Sequence, residues 1–263
     1  MGVVMSTAIS SDGTTIAYER HGDGPPVVIV SGALSVGADG AGLAAALADK
    51  GLSAVTWDRR ARGASGDSPG STPEREAEDL AAVIEAVGGD AAVLGHSSGA
   101  VLALFAASVG VSVRALFLSE PPLRFGADEP EAGLAARLQQ LVDDGRPEDA
   151  VVTFQLEGIG LPAEMVENIR ASDQFAALVP LAQSTVYDTR LVRHASTPTE
   201  AMLTVSAPVT ILRGGQTFPL LVTAADRLVE AMDDAELVVV PESVMHRPDP
   251  EATARVVAER LQG

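Results

Sequence analysis

LGHSSG, residues 94–99, is the stretch on which the reading of this chain turns. An apolar run (AAV, 91–93) leads into it and an Ala-rich run (GAVLALFAA, 99–107) leaves it. The two serines therefore stand where a buried strand passes into a helix. Gly95, His96, Ser97, Ser98 and Gly99 fit the pattern G-x-S-x-G with Ser97 at the centre. To lift a hydroxyl out of a sheet, the central serine needs a sharp bend with strained backbone angles. A side chain at 95 or 99 would collide with the neighbouring strand or helix, and glycine leaves the space. The helix that follows aims its first N–H groups at the place where negative charge would form. Ser97 is thus read as a nucleophile, against the plainer alternative of a small polar turn. Ser98 lies off the centre of the motif and is expected to give its backbone N–H to an oxyanion.

Strands and helices alternate outward from this junction. Residues 14–26 read as a strand running into a Gly/Pro turn. Residues 27–32 (VVIVSG) form a β-branched run of the kind seen in strands buried on both faces of a parallel sheet. A helix follows over 43–51, a strand over 52–58, and a helix over 71–89 that opens on a Thr72 cap and Pro73. After the serine turn come a helix to 109 and a strand in VRALFLSE (113–120). Between 121 and 199 the strand rhythm stops. Four helix-like segments fill that interval, with Leu134, Leu138, Leu141 and Val142 at helical spacing. Strands resume in PVTILRGG (208–215) and ELVVVPE (236–242), with helices over 222–232 and 251–261. The pattern predicts a doubly wound α/β sheet with right-handed crossovers, interrupted by a helical insert of about 80 residues.

The composition narrows the function classes. The chain has 263 residues, which suits one large domain or a core with an inserted subdomain. Hydrophobic residues make up 46% but aromatics only 3%, so the core is built from small aliphatic side chains with little capacity to stack on bases or sugars. The 36 acidic and 18 basic residues give a formal charge of −18, which repels phosphate backbones and anionic membranes. Nucleic-acid and membrane partners are set aside on that ground. There is no cysteine, so disulfides, thiolate catalysis and cysteine-based metal sites are excluded. The opening MGVVMSTAIS (1–10) carries no basic segment ahead of a long apolar stretch, and no apolar run approaches the roughly 20 residues of a membrane span. A cytoplasmic location is the expectation.

With these residues in view, the sequence resembles the α/β-hydrolase family over nearly its whole length. WDRRARGASGDS (57–68) looks like that family's loop after the fourth strand, where Asp58 and Arg62 are more often structural than catalytic. The resemblance implies a mostly parallel central sheet flanked by helices, with a core over 1–120 and 200–263. The interval 121–199 then becomes an α-helical lid inserted after strand 6. It also implies a Ser-His-acid triad. His246, after the last strand, stands where the family's base stands. The other histidines serve less well: His21 precedes an early turn, His96 lies inside the elbow and His194 in the insert.

The family's usual acid position, after the seventh strand, here reads LRGGQTFP, with Gln216 and Thr217 and no carboxylate. The family's second location is the end of the sixth strand, where LFLSEPP puts Glu120 at the carboxyl edge of the sheet. The order Ser97, Glu120, His246 keeps the fold's chain order. Asp188, folding in from the insert, is one alternative, and a site with no third member is the other. The second oxyanion donor is expected from VSGALSVG (30–37). Ser31 stands there where the family often has histidine, but Gly32 is kept and the N–H of Ala33 can donate.

The resulting expectation is a cofactor-independent serine hydrolase without a metal. It acts on a small hydrophobic ester, thioester, lactone or related carbonyl compound through an acyl-serine intermediate. Two alternatives stay open. One is a lyase, decarboxylase, cofactor-free haloperoxidase or cyclase on the same fold; the other is a non-catalytic binder with a relic triad. Substrate identity and oligomeric state are not readable from the sequence.

Overall fold

The computed structural model describes residues 5–127, 129 and 131–262; the first four residues of the stretch inspected for a leader lie outside them. Eight strands form one sheet: β1 (Met5–Ile9), β2 (Thr15–His21), β3 (Pro26–Val30), β4 (Ser53–Trp57), β5 (Ala92–His96), β6 (Leu116–Ser119), β7 (Val209–Gln216) and β8 (Glu236–Val244). Their order across the sheet is β1-β2-β4-β3-β5-β6-β7-β8. The β1–β2 and β2–β4 pairs are antiparallel, and all others are parallel.

The apolar runs of the central strands are explained by helices on both faces. Val28, Val30, Val93, Leu116, Leu118 and Ile211 point to one side. There they meet α2 (Pro73–Ala86), α3 (Ser98–Ser108) and α10 (Pro219–Ala231). Val27, Ile29, Leu94, Phe117 and Leu212 point to the other, against α1 (Ala41–Asp49) and α11 (Pro250–Gln262). With period-2 alternation and both faces covered, every position must be apolar. The α2 helix begins as expected, with Thr72 Oγ1 accepting the Arg75 N–H and Pro73 in the first turn.

Between β6 and β7 the described chain is helical: α4 (Leu134–Asp143), α5 (Pro147–Thr153), α6 (Ala163–Arg170), α7 (Phe175–Leu178), α8 (Ala182–Ala195) and α9 (Glu200–Leu203). A π-helical turn, Phe154–Ile159, continues α5. This segment has its own small core of Leu134, Leu138, Val151, Phe154 and Val186, and Ala33 and Leu34 pack against it. It therefore rests on the loop after β3. No helix among the described residues is long and apolar enough to cross a membrane.

One strand differs from the sequence reading. β1 was not expected; it is a five-residue edge strand with one buried side chain, Ala8, which leaves little periodic signal. The stretch 14–26 is as expected, a strand, β2, that runs into a turn where Gly22 takes φ 83°, with β3 starting at Pro26.

Candidate active site

The register of the sheet brings the expected site residues to one edge. His96 pairs with Ser119 across β5 and β6, so the residues that follow, Ser97 and Glu120, leave the sheet side by side. The Ser97 N–H donates to Ser119 O at 2.9 Å, and the Glu120 N–H to Leu212 O at 3.0 Å.

Ser97 takes φ 55°, ψ −124° between β5 and α3. The close packing around it excludes side chains: a Cβ at Gly95 would lie 2.4 Å from Gly99 O, and one at Gly99 only 2.1 Å from Val30 O. Ser97 is the N-cap residue of α3, yet its hydroxyl makes no cap hydrogen bond. The neighbouring hydroxyl has a different fate. Ser98 is buried, donates to Asp188 Oδ1 at 2.8 Å and accepts from Arg59 Nη1 at 3.2 Å. Of the two serines, then, one hydroxyl is tied into the interior, and the half-buried Ser97 is not.

The expected base and acid are in contact. His246 Nδ1 lies 2.5 Å from Glu120 Oε2. Burial opposes charge on Glu120, but hydrogen bonds from His246 and the Gly214 N–H outweigh it and hold its carboxyl below the usual range. An ionised carboxylate can only accept, so Nδ1 donates and leaves Nε2 as the basic nitrogen. The other carboxylate oxygen, Oε1, accepts from the Gly214 N–H at 2.8 Å. Gly214 was not anticipated as a site residue. It belongs to the Gly-Gly pair just ahead of Gln216 and Thr217, and a Cβ there would crowd Ser243 O at 2.7 Å and Glu120 Oε1 at 3.0 Å. Its contribution is a main-chain N–H, which no side-chain pattern announces.

His246 arrives on a tight turn after β8. The Arg247 N–H donates to Val244 O at 3.0 Å, and Met245 and His246 both have positive φ, 51° and 60°. The turn is anchored by the Met245 N–H on Gln216 O at 2.7 Å. Seven non-glycine residues among those described have positive φ; Leu34, Ser97, Glu120, Met245 and His246 are five of them. Such angles cost about 1–3 kcal/mol each, and here they gather at one edge of the sheet.

His96 is closer to this pair than its position in the motif suggested. Its ring centroid lies 4.5 Å from that of His246, and its Nδ1 is 3.2 Å from Ser119 Oγ. Burial, and next the charge a protonated His246 would carry, push His96 down to about 3, so it stays neutral at working pH. His194, on the exposed side of α8, packs edge-on to Phe105. His21 lies near Glu19 on β2.

On the other side of Ser97 is the loop after β3. A Cβ at Gly32 would sit 3.6 Å from Ser97 Oγ, which puts the Gly32–Ala33 backbone against the hydroxyl. Asp188 is not near the imidazole pair: its carboxylate binds Arg59 Nη1 at 2.9 Å and Arg62 Nη2 at 2.7 Å. Burial opposes its ionisation, but Arg62 and Arg59 outweigh that and hold it below the usual carboxylate range. Asp58 holds loop backbone, accepting from the N–H groups of Gly37 and Ala64 at 2.7 and 2.8 Å. Among the described residues no cluster of three or more His, Asp or Glu side chains is arranged to hold a metal ion.

The model of the alpha/beta hydrolase family matches residues 27–259. An alpha/beta hydrolase from Sphaerobacter thermophilus has a similar structure, with 38% identity, a TM-score of 0.89, and coverage of 97% of this chain and 100% of that one. A thermophilic esterase from Thermogutta terrifontis is 20% identical, with a TM-score of 0.74 over 100% of this chain and 98% of that one. An esterase from Exiguobacterium antarcticum is also 20% identical, with a TM-score of 0.72 over 99% and 100%. No curated protein matches the chain.

Proposed function

The chain belongs to the alpha/beta hydrolase family, and on that premise we propose that it is a serine hydrolase of small, neutral, hydrophobic esters, thioesters or lactones. The observation that carries this reading is the 2.5 Å pairing of His246 with a buried Glu120, at the sheet edge where Ser97 leaves on a strained turn.

In this mechanism Ser97 Oγ attacks the carbonyl carbon while Nε2 of His246 takes its proton. Glu120 keeps the Nδ1 proton in place and stabilises the imidazolium. Negative charge grows on the carbonyl oxygen and is met by the N–H groups of Ala33 and Ser98, each contributing about 3 kcal/mol to transition-state binding. His246 then protonates the leaving group as the tetrahedral species collapses to an acyl-serine. Water, deprotonated by the same imidazole, attacks that ester and frees Ser97. Neutral His96 beside His246 adds no positive charge that would disfavour the imidazolium.

Apolar groups around the site support an apolar substrate. Leu34 packs under the helical segment. Met245, next to the base, is 57% exposed, and Phe218, just past the strand that anchors the Met245 turn, is 39% exposed. The net charge of −18 works against anionic acyl groups.

A panel of p-nitrophenyl esters, thioesters and lactones of increasing acyl length tests the proposal. We expect turnover of neutral acyl esters, with kcat/KM rising from acetate to a medium-chain optimum, and hemisuccinate esters at least about tenfold slower than neutral ones of equal length. Absence of turnover across the panel, with Ser97 still reactive toward a phosphonylating probe, would instead point to non-hydrolytic chemistry on this fold.

A further inference from the structure

We propose that Arg62 is a positioning residue for the oxyanion site: anchored by Asp188 of the helical segment, it grips the Gly32 carbonyl and so aims the Ala33 N–H at the substrate oxygen. The inference rests on the proposed hydrolase reading and extends it to residues that touch no reacting atom.

The geometry is that of a single peptide unit. The C=O of Gly32 and the N–H of Ala33 lie in one plane and point in opposite directions, so fixing one fixes the other. Arg62 Nη1 donates to Gly32 O at 2.6 Å and to Ser35 O at 3.0 Å, one nitrogen spanning both ends of the Ala33–Leu34 turn. Arg62 Nη2 is held by Asp188 Oδ2 at 2.7 Å. The other oxygen of that carboxylate holds Arg59 Nη1, which also reaches Ser31 O at 3.3 Å, and the Ser98 hydroxyl. Both expected oxyanion residues, Ala33 and Ser98, are thereby tied to one carboxylate carried by α8.

A charged donor on the carbonyl also polarises the peptide and strengthens its N–H as a donor, most of all in a dry interior. Arg59, Arg62 and Asp188 are all essentially buried. Burial and the neighbouring Arg59 lower Arg62 to about 10, so it remains a cation at neutral pH. Its Nε is left without a partner while both terminal nitrogens are engaged. A guanidinium serving only as a counter-ion has no need to turn toward loop carbonyls. Arg60 supplies the contrast: equally buried, it binds Asp79, Asp12 and Arg75 O, and none of those is on the Gly32 loop.

The test compares R62K, D188N and R60K. Lysine keeps the charge but cannot span two carbonyls and a carboxylate. We expect R62K to lower kcat about 10- to 30-fold with KM changed less than about threefold, and to slow labelling by a fluorophosphonate by a similar factor. The ³¹P resonance of the phosphonylated protein should also move, because the phosphoryl oxygen occupies the oxyanion position. D188N should act in the same direction, and it carries the test if R62K does not fold. R60K can lower Tm, but it should leave kcat within about twofold and the ³¹P shift in place. Folded R62K and D188N with wild-type kcat and ³¹P shift would overturn the proposal, as would R60K losing as much activity as R62K. If the wild-type protein itself resists labelling, the nucleophile assignment fails first and this inference falls with it.

Discussion

Ser97→Ala is expected to lower kcat on the best ester of the panel by about 10⁵- to 10⁶-fold while leaving the fold and Tm nearly unchanged. The size follows from its place in the mechanism, since without Oγ no acyl-serine forms and the imidazole has no proton to take. The near-neutral effect on stability follows from the structure. The Ser97 hydroxyl caps no helix end, and the backbone bonds from Ser97 N–H to Ser119 O and from Ala100 N–H to Ser97 O persist in alanine. Ser98→Ala should behave in the opposite way. It keeps the backbone N–H proposed for the oxyanion, so turnover should persist, but it removes a hydroxyl bonded to Asp188 in the interior and should cost about 1–3 kcal/mol of stability. Kinetics and thermal melts of the pair distinguish the two serines. Equal loss of activity in both variants would place the chemistry elsewhere.

The second large effect is expected from Glu120→Gln, a fall in kcat of about 10³- to 10⁴-fold. The environment fixes which way the amide turns. The Gly214 N–H donates to Oε1, so the amide oxygen must take that position and the NH₂ must face His246. Nδ1 then accepts instead of donating, and the imidazole proton moves to Nε2, the nitrogen that should receive the serine proton. The wrong tautomer and the lost stabilisation of the imidazolium act together. Asp188→Asn is expected to lose far less, because its carboxylate faces Arg59 and Arg62 rather than the imidazole. Parallel kcat measurements decide between them; a larger loss in Asp188→Asn would reverse the assignment of the acid.

The parts of the fold that were legible in the sequence are those with dense local signals. Parallel strands covered on both faces leave continuous apolar runs, so β3 through β7 could be seen. The glycine spacing around Ser97 reports a steric need visible within five residues. Glu120 came from the resemblance, whose second acid location at the end of the sixth strand falls on it once the stretch after β7 offers no carboxylate. His246 came from the resemblance, since its turn carries no glycine despite two positive φ angles. What was not legible depends on contacts between distant residues. Arg62 and Asp188 are 126 positions apart, and no periodicity links them. The Gly214 N–H is a backbone group, indifferent to side-chain pattern. The ring of His96, set aside because of its place in the motif, lies beside the base because the turn after β8 folds back over the end of β5.

The most direct measurement is the mapping of a fluorophosphonate adduct by peptide mass spectrometry. One adduct is expected, on Ser97, absent in Ser97→Ala and formed much more slowly in His246→Ala and Glu120→Gln. An unmodified protein, or an adduct on Ser98 or any other residue that survives Ser97→Ala, would contradict it.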